Sequence, residues 1–249
     1  VLYSQALSRM GAALLLDLGN HQLKVGRSSS EEACEFLTSL SLLELEPLEG
    51  ILSETSFSEI RLSSVNPQGV TGLRALLPVE VPLFEVSPET LPMPVTSHGT
   101  GVDRILSGYA AWRHCQKACV VADLGTAWTL DFVDSKGSFI GGGIGPGLGL
   151  QESALMEACP HLGNPAPTLS QSIPSNTAEA LACGTRGALA HALQGMVQAA
   201  ESELGPLERF LTGGDAPRML ELLPDWQHCS HLVLEGLALW CPAPANLGD

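Results

Sequence analysis

Two uninterrupted apolar runs, residues 12–16 and 118–122, end on nearly the same phrase. The first leads into Asp17-Leu18-Gly19-Asn20 and the second into Asp123-Leu124-Gly125-Thr126. A short apolar run closed by a turn signal reads as a buried strand. Each copy therefore predicts a strand, a carboxylate, a glycine turn and a second strand. Residues 22–26 form the expected return strand of the first copy. Residues 31–45 carry apolar positions at helical spacing and predict a helix. Strand 59–65, helix 68–77 and strand 81–86 follow, an alternation that predicts an α/β layer. Residues 87–100 hold Pro88, Pro92, Pro94 and Gly99 and read as the link between two lobes, 1–98 and 99–249.

The second lobe opens on an amphipathic helix, 103–115, with Ile105, Leu106, Tyr109 and Trp112 on its apolar side. Strands are expected at 118–122, 129–133 and 138–141, the last two joined by the turn Asp134-Ser135-Lys136-Gly137. Residues 141–147 are too glycine-rich for a regular element to be expected there. Helices follow at 149–158 and 177–204, the latter one long helix or a pair. Residues 208–212 read as a strand running into Gly213-Gly214-Asp215, with a short helix at 216–223 and a closing apolar segment at 232–239. Strand, strand, strand, helix predicts a mixed sheet. Neither a G-x-G-x-x-G at a strand-to-helix turn nor a G-x-x-x-x-G-K-[ST] loop is present, so a Rossmann unit is not expected.

Composition narrows the function classes. The 249 residues suffice for one large domain or two small ones. A formal charge of −15 argues against a nucleic-acid footprint. It leaves a nucleotide ligand open, because glycine turns and metal ions hold phosphate without a basic surface. Seven cysteines, scattered and without a C-x-x-C pair, fit a reduced, cytoplasmic setting better than a disulfide framework. His114, Cys115 and Cys119 are near enough in sequence to suggest a metal, as are His228, Cys229 and His231. Ordinary helix and loop residues are the plainer reading of both groups. No apolar run reaches membrane-span length. Arg9 followed by residues 11–16 faintly resembles a signal peptide, but Asp17 interrupts it.

The repeated phrase carries the chemistry. Glycine admits a phosphate oxygen close to a backbone N–H, and a neighbouring small polar residue adds a donor. The carboxylate suits a magnesium shell completed by water and phosphate oxygens. A plain hairpin turn is the alternative for either copy taken alone. Two copies suggest two similar lobes facing one nucleotide.

These phrases fall in an ordered series. Asp17-Leu18-Gly19-Asn20 with Lys24 comes first, followed by Gly101-Val102-Asp103-Arg104. Asp123-Leu124-Gly125-Thr126-Ala127 follows with Thr129 and Asp131, then Gly141-Gly142 with Pro146-Gly147, then Thr212-Gly213-Gly214-Asp215. In that order they resemble the signature of type III pantothenate kinases. Residues 176–180 and 232–237 resemble further segments of that family. The resemblance runs from residue 12 to about residue 240. It implies two duplicated ribonuclease-H-like lobes of the actin-like ATPase kind, α/β with mixed sheets and an interlobe ATP cleft. It also implies a homodimer, ATP, magnesium and a monovalent cation, potassium or ammonium.

By the same resemblance, Asp103 is the general base, and Gly101, Arg104 and Thr177 meet pantothenate, Thr177 from the partner subunit. Asp17, Gly19, Asn20, Lys24, Gly125, Thr126, Gly213 and Gly214 meet ATP, and Asp17 and Asp123 face the metal. The residues alone leave alternatives. Asp103 also reads as a helix N-cap, Arg104 as a surface arginine, Thr177 as an N-cap and Lys24 as an exposed strand lysine. His21 stands where the family carries a hydroxyl residue. Residues 96–100 replace an element that shapes the pantothenate pocket. The expected activity is ATP-dependent phosphorylation of pantothenate, the first step toward coenzyme A. A superfamily kinase with another acceptor and a non-catalytic regulator are the alternatives.

Overall fold

β1 (Ala13–Leu18) is buried along its whole length, which explains its uninterrupted apolar run. β2 (Gln22–Ser30) pairs antiparallel with it, and β3 (Ala33–Ser41) pairs antiparallel with β2. On the other side β4 (Glu59–Ser64) pairs parallel with β1, and β5 (Leu83–Glu85) parallel with β4. The order is β3-β2-β1-β4-β5. α1 (Pro47–Glu54) and α2 (Pro67–Arg74) pack on the sheet face formed by Leu14, Leu16, Val25, Ile60 and Leu62. The computed structural model describes residues 12–30, 33–169 and 173–242. Arg9 and Gly11 of the signal-like stretch lie outside those residues.

The same sheet is built again later in the chain. β6 (Cys119–Leu124) is flanked antiparallel by β7 (Ala127–Val133), which carries β8 (Phe139–Pro146) at its outer edge. β6 is flanked parallel by β9 (Glu208–Thr212), which carries β10 (Gln227–His228). Read from β8, the order β8-β7-β6-β9-β10 repeats the first sheet strand for strand. The duplication inferred from the repeated phrase is therefore a duplication of topology. α3 (Val102–Cys115), α4 (Leu148–Ala158), α5 (Thr177–Ala182), α6 (Ala188–Leu204) and α7 (Leu232–Leu239) complete the described helices.

The chain divides into two units, Val1–Ala110 with His231–Asp249, and Ala111–Ser230. The expected division at 98/99 placed all of α3 and α7 with the second lobe. Instead α3 is shared at its ninth residue, and α7 returns to the first unit. There Gly236 packs on the Leu106 carbonyl and Leu234 lies 3.2 Å from where a Cβ on Gly26 would stand. Buried Arg61 on β4 fixes that return. Its Nη1 donates to the carbonyls of Leu237, Ala238 and Trp240 at 3.1, 2.8 and 2.5 Å, and its Nε meets Glu59 at 2.7 Å. A cation at a helix C-terminus satisfies carbonyls that the helix leaves open.

Several elements differ from expectation. Residues 33–41 are β3, not part of a helix. A register shift lets β3 gain one residue against Val25/Gly26, so Val25 faces Thr38 and Gly26 faces Phe36. That bulge breaks the two-residue alternation, and Phe36, Leu37 and Leu40 then mimic helical spacing. The glycine-rich stretch is β8. A Cβ on Gly142 would run into the Leu130 carbonyl, and one on Gly145 would stand 2.6 Å from the Trp128 ring. Here glycine permits a close strand approach. Residues 177–204 are one run interrupted by a π turn, Cys183–Gly187. The expected helix at 216–223 reduces to a 3-10 turn, Ala216–Arg218. α1 and β10 were not anticipated.

Candidate active site

In the first unit, the carboxyl ends of β1 and β4 meet the amino end of α3. Asp17 is buried at the end of β1, opposite Lys24 on β2 and Ser63 on β4. The turn beyond it closes with the Gly19 amide donating to the Gln22 carbonyl at 3.0 Å, leaving Asn20 and His21 exposed. A Cβ on Gly19 would meet nothing closer than that carbonyl, at 3.5 Å, so packing does not demand this glycine. A glycine in such an open turn leaves its backbone amide side accessible to close approach. The His21 carbonyl accepts from the Leu42 amide at 3.1 Å, which ties the turn to the segment after β3.

Gly101 caps α3, its carbonyl accepting from the Ile105 amide at 3.4 Å. Asp103 therefore lies in the first turn, and its Oδ1 accepts the Arg104 amide at 2.8 Å. The N-cap alternative is partly realised: the carboxylate covers an open amide of the first turn without being the cap residue. A Cβ on Gly101 would stand 2.5 Å from Asp103 Oδ1 and 3.2 Å from Val65 Cγ1. The glycine is what allows the carboxylate to fold back. Burial pushes the Asp103 carboxyl above its ordinary range, against the Arg104 amide and the charges of Arg104 and Lys24, which pull it down. Lys24, read alternatively as a bystander, is thus close enough to act on Asp103.

The second unit repeats the first turn with different neighbours. Asp123 faces Thr129 on β7 and Thr212 on β9. The Gly125 amide donates to the Ala127 carbonyl at 3.0 Å, and Thr126 is exposed. A Cβ on Gly125 would again find room, with its nearest neighbour at 3.8 Å. Gly213 follows β9 at φ +94° and packs against Leu124, with its Cβ position 2.5 Å from Asp123 Oδ1. The Asp215 amide donates to the Leu124 carbonyl at 2.8 Å. Residues 213–215 therefore wrap the end of β6 beside its carboxylate. Open α/β sheets commonly bind ligands outside the carboxyl ends of their strands.

Beyond Asp215 lies a cavity of about 550 Å³. Arg218 crosses its wall, paired with Glu152 at 2.6 Å and Asp215 at 3.0 Å. Buried Arg186 donates to the carbonyls of Ala166 and Pro167 and holds the 164–169 segment as the opposite wall. Glu152, Arg186 and Arg218 were not singled out from sequence, because their neighbourhood depends on chain crossings that no local motif reports. Ser63 was missed too, although its place at the end of an expected strand was the available signal. Thr177 is exposed in the first turn of α5, and Asn176 is the cap, accepting the Glu179 amide at 3.0 Å. The structure thus gathers Asp17, Gly19, Asn20, Lys24, Gly101, Asp103 and Arg104 in one unit. It gathers Asp123, Gly125, Thr126, Gly213 and Gly214 in the other.

Neither suggested His/Cys group forms a metal site; among the described residues no three His, Cys, Asp or Glu side chains gather as one. For magnesium, Asp17 and Asp123 each offer a single carboxylate. Ser63 Oγ and Thr129 Oγ1 beside them are buried without a hydrogen-bond partner among the described residues. In each unit, one carboxylate beside one hydroxyl fits an ion carried by substrate phosphates and water, not one caged by protein. No helix among the described residues is long and apolar enough to cross a membrane.

Two mixed sheets of identical order, each with a carboxylate and glycine turn at the end of its central strand, define the actin-like ATPase and sugar kinase fold. Solved structures agree on the fold. A Baf family protein from Campylobacter jejuni, described as a transcriptional activator, superposes with a TM-score of 0.63 at 20% identity, covering 90% of this chain and 94% of its own. Component A of the Acidaminococcus fermentans (R)-2-hydroxyglutaryl-CoA dehydratase gives 0.53 at 11% identity, covering 92% and 96%. The sequence is more specific. The family model for type III pantothenate kinase matches residues 13–199. The type III pantothenate kinase of Pseudomonas syringae pv. syringae is 32% identical over 248 positions, covering 92% of this chain and 98% of that protein. That of Ectopseudomonas mendocina is 33% identical over 249 positions with the same coverage. The chain belongs to the type III pantothenate kinase family.

Proposed function

We propose that the protein transfers the γ-phosphoryl group of ATP to the terminal hydroxyl of pantothenate, with Asp103 as the base. Family membership supports the substrate pair. The observation that carries the base is the desolvated Asp103 carboxylate, held in the first turn of α3 by the Arg104 amide and admitted there by Gly101. A carboxyl raised toward neutrality accepts a hydroxyl proton more readily than an ordinary aspartate. Oδ1 is spent on the amide, so Oδ2 receives the proton.

Arg104 offers a guanidinium fork to the pantothenate carboxylate. Thr177 of a second copy belongs to the same reading, which makes the working form a homodimer. The 19–20 and 125–126 turns, with Lys24, receive ATP phosphate oxygens through backbone amides and one positive charge. Gly213 and Gly214 lie against the adenosine end, and the cavity beyond Asp215 has room for a base. Asp17 and Asp123 would hold magnesium, which when bound would neutralise phosphate charge. The expected potassium or ammonium ion is assigned to no residue of this chain.

The test is ATP-dependent formation of 4'-phosphopantothenate by wild type and Asp103→Asn. Product from wild type, with loss of about 10²–10⁴ in kcat for a folded, ATP-binding variant, is expected. Wild type that binds ATP but forms no phosphopantothenate overturns the activity. An active Asp103→Asn protein overturns the base assignment alone.

A further inference from the structure

α3 ends in a way that folds the chain back sharply. Gln116 takes a left-handed conformation, φ +53°, unusual for a residue with a side chain, and its amide donates to the Trp112 carbonyl at 2.7 Å. Four residues after Cys115 the chain enters β6 at Cys119. The reversal brings the two thiols into a shared hydrogen bond. Cys119 is fully buried and Cys115 half-buried. Cys115 Sγ also donates toward the Lys117 carbonyl at 3.5 Å. Lys117 pairs with Glu208 at 2.6 Å. All seven cysteines are thiols.

We propose that Cys115 and Cys119 form an oxidisable dithiol, a modification site in which Cys115 is the attacking sulfur and Cys119 the resolving one. The oxidant class is a hydroperoxide. The Cys115 thiolate attacks the peroxide oxygen, the O–O bond breaks, and Cys115 becomes a sulfenic acid as hydroxide leaves and takes a proton to form water. Cys119 sulfur then displaces the sulfenic hydroxyl, its own proton leaving with it as a second water. Two thiols lose two electrons in total and one hydroperoxide is reduced, giving one disulfide and two waters for hydrogen peroxide.

The division of roles follows from access: Cys115 is half-buried and reachable by a peroxide, whereas Cys119 is fully buried. The hydrogen bond from Cys119 holds the Cys115 thiol down to about 6, ahead of burial, which opposes it. Cys119 is pushed up, first by that same bond and then by burial. The α3 carboxyl end and Glu208 both disfavour a thiolate at Cys115, so the thiol pairing must outweigh them. Cys119 shares the sheet face of Val121 and Asp123, two alternate positions further along β6. Cys115 closes the helix whose first turn carries Asp103. The proposal does not rest on the kinase reading.

The test treats the reduced full chain with stoichiometric hydrogen peroxide, blocks the remaining thiols and digests with trypsin. Cleavage after Arg113, Lys117 and Lys136 separates the cysteines into peptides 114–117 and 118–136. A disulfide-linked pair of these two peptides as the main product is expected. In untreated protein, iodoacetamide labels Cys115 about tenfold faster than the half-buried Cys159 and Cys183. Cys119→Ala removes that advantage. Absence of the linked pair, with Cys115 passing on to sulfinic acid, overturns the proposal. So does a Cys115 labelling rate that Cys119→Ala leaves unchanged.

Discussion

Replacing Gly101 by alanine adds one carbon beside the proposed base. Gly101 is not in the left-handed region, so alanine adopts its backbone without strain. The new Cβ would stand 2.5 Å from Asp103 Oδ1, and ordinary contact begins at 3.4 Å. The carboxylate must therefore retreat by about 0.9 Å, the difference between those distances. Val65 Cγ1, at 3.2 Å, needs to give only a few tenths of an ångström. The side chain is the softer partner, so the fold changes by about 1 kcal/mol or less, the scale of Gly-to-Ala exchanges at compatible sites. Catalysis is less forgiving. A misplacement of about 1 Å costs roughly 10²-fold, or about 2.7 kcal/mol of barrier. Steady-state phosphopantothenate formation should show kcat reduced by about that factor, with KM for ATP little changed. The same change in an Asp103→Asn background should add little, because its cost is routed through that side chain. A variant within threefold of wild-type kcat would refute the reasoning, as would equal further loss in the Asn background.

Three other outcomes follow from the geometry. Burial raises the folded Asp103 carboxyl above its unfolded value, so the native state binds the extra proton and wild-type stability falls as pH rises through that interval. Asp103→Asn should then be the more stable protein at pH 7, with the gain vanishing near pH 3; denaturant midpoints at both pH values check the sign. Gly213→Ala forces a side chain onto φ +94° and toward Asp123, costing about 1–3 kcal/mol and weakening nucleotide binding at least tenfold. Calorimetry with ATP reads the second effect, and unchanged affinity would separate the 213–214 turn from the nucleotide. Arg61→Met leaves Glu59 and the last carbonyls of α7 without their cation and should cost about 3–5 kcal/mol. Hydrogen exchange should rise first in α7, and the double change with Glu59→Gln should cost less than the single one.

How much was legible depended on whether a strand's environment repeats every two residues. β1 and β6 are covered on both faces, so continuous apolar runs announced them. β3 and β8 are edge strands with register shifts against their partners, and each shift rephases the pattern on one side of it. The turns after Asp17 and Asp123 were legible because carboxylate, glycine and strand are contiguous. Gly101 and Asp103 were legible only as a phrase. Their steric dependence on each other needs a helix turn to exist first. Ser63, Glu152, Arg186 and Arg218 come from segments joined by parallel pairing or loop docking, which leave no local spacing. α7 is apolar on most sides and could cover either sheet; Arg61, buried on β4, is what commits it to the first.

The duplication is faithful in topology and unequal in charge, and the inequality follows the chemistry. Both sheets place an aspartate at the same position of the central strand, yet its antiparallel neighbour is Lys24 in one and Thr129 in the other. The parallel neighbours, Ser63 and Thr212, are both hydroxyls. A lysine beside Asp17 offsets the aspartate's charge and lowers the cost of ionising Asp103, so the unit that holds the proposed base also carries a cation. Asp123 has no such neighbour in register. Its surroundings are hydroxyls, open glycine turns and the amide-rich wrap of residues 213–215. Those groups offer directed hydrogen bonds to an anion without neutralising the carboxylate. On the proposed reading, both halves meet phosphate through their glycine turns, and only the first adds a base and a cation to the same five-strand plan.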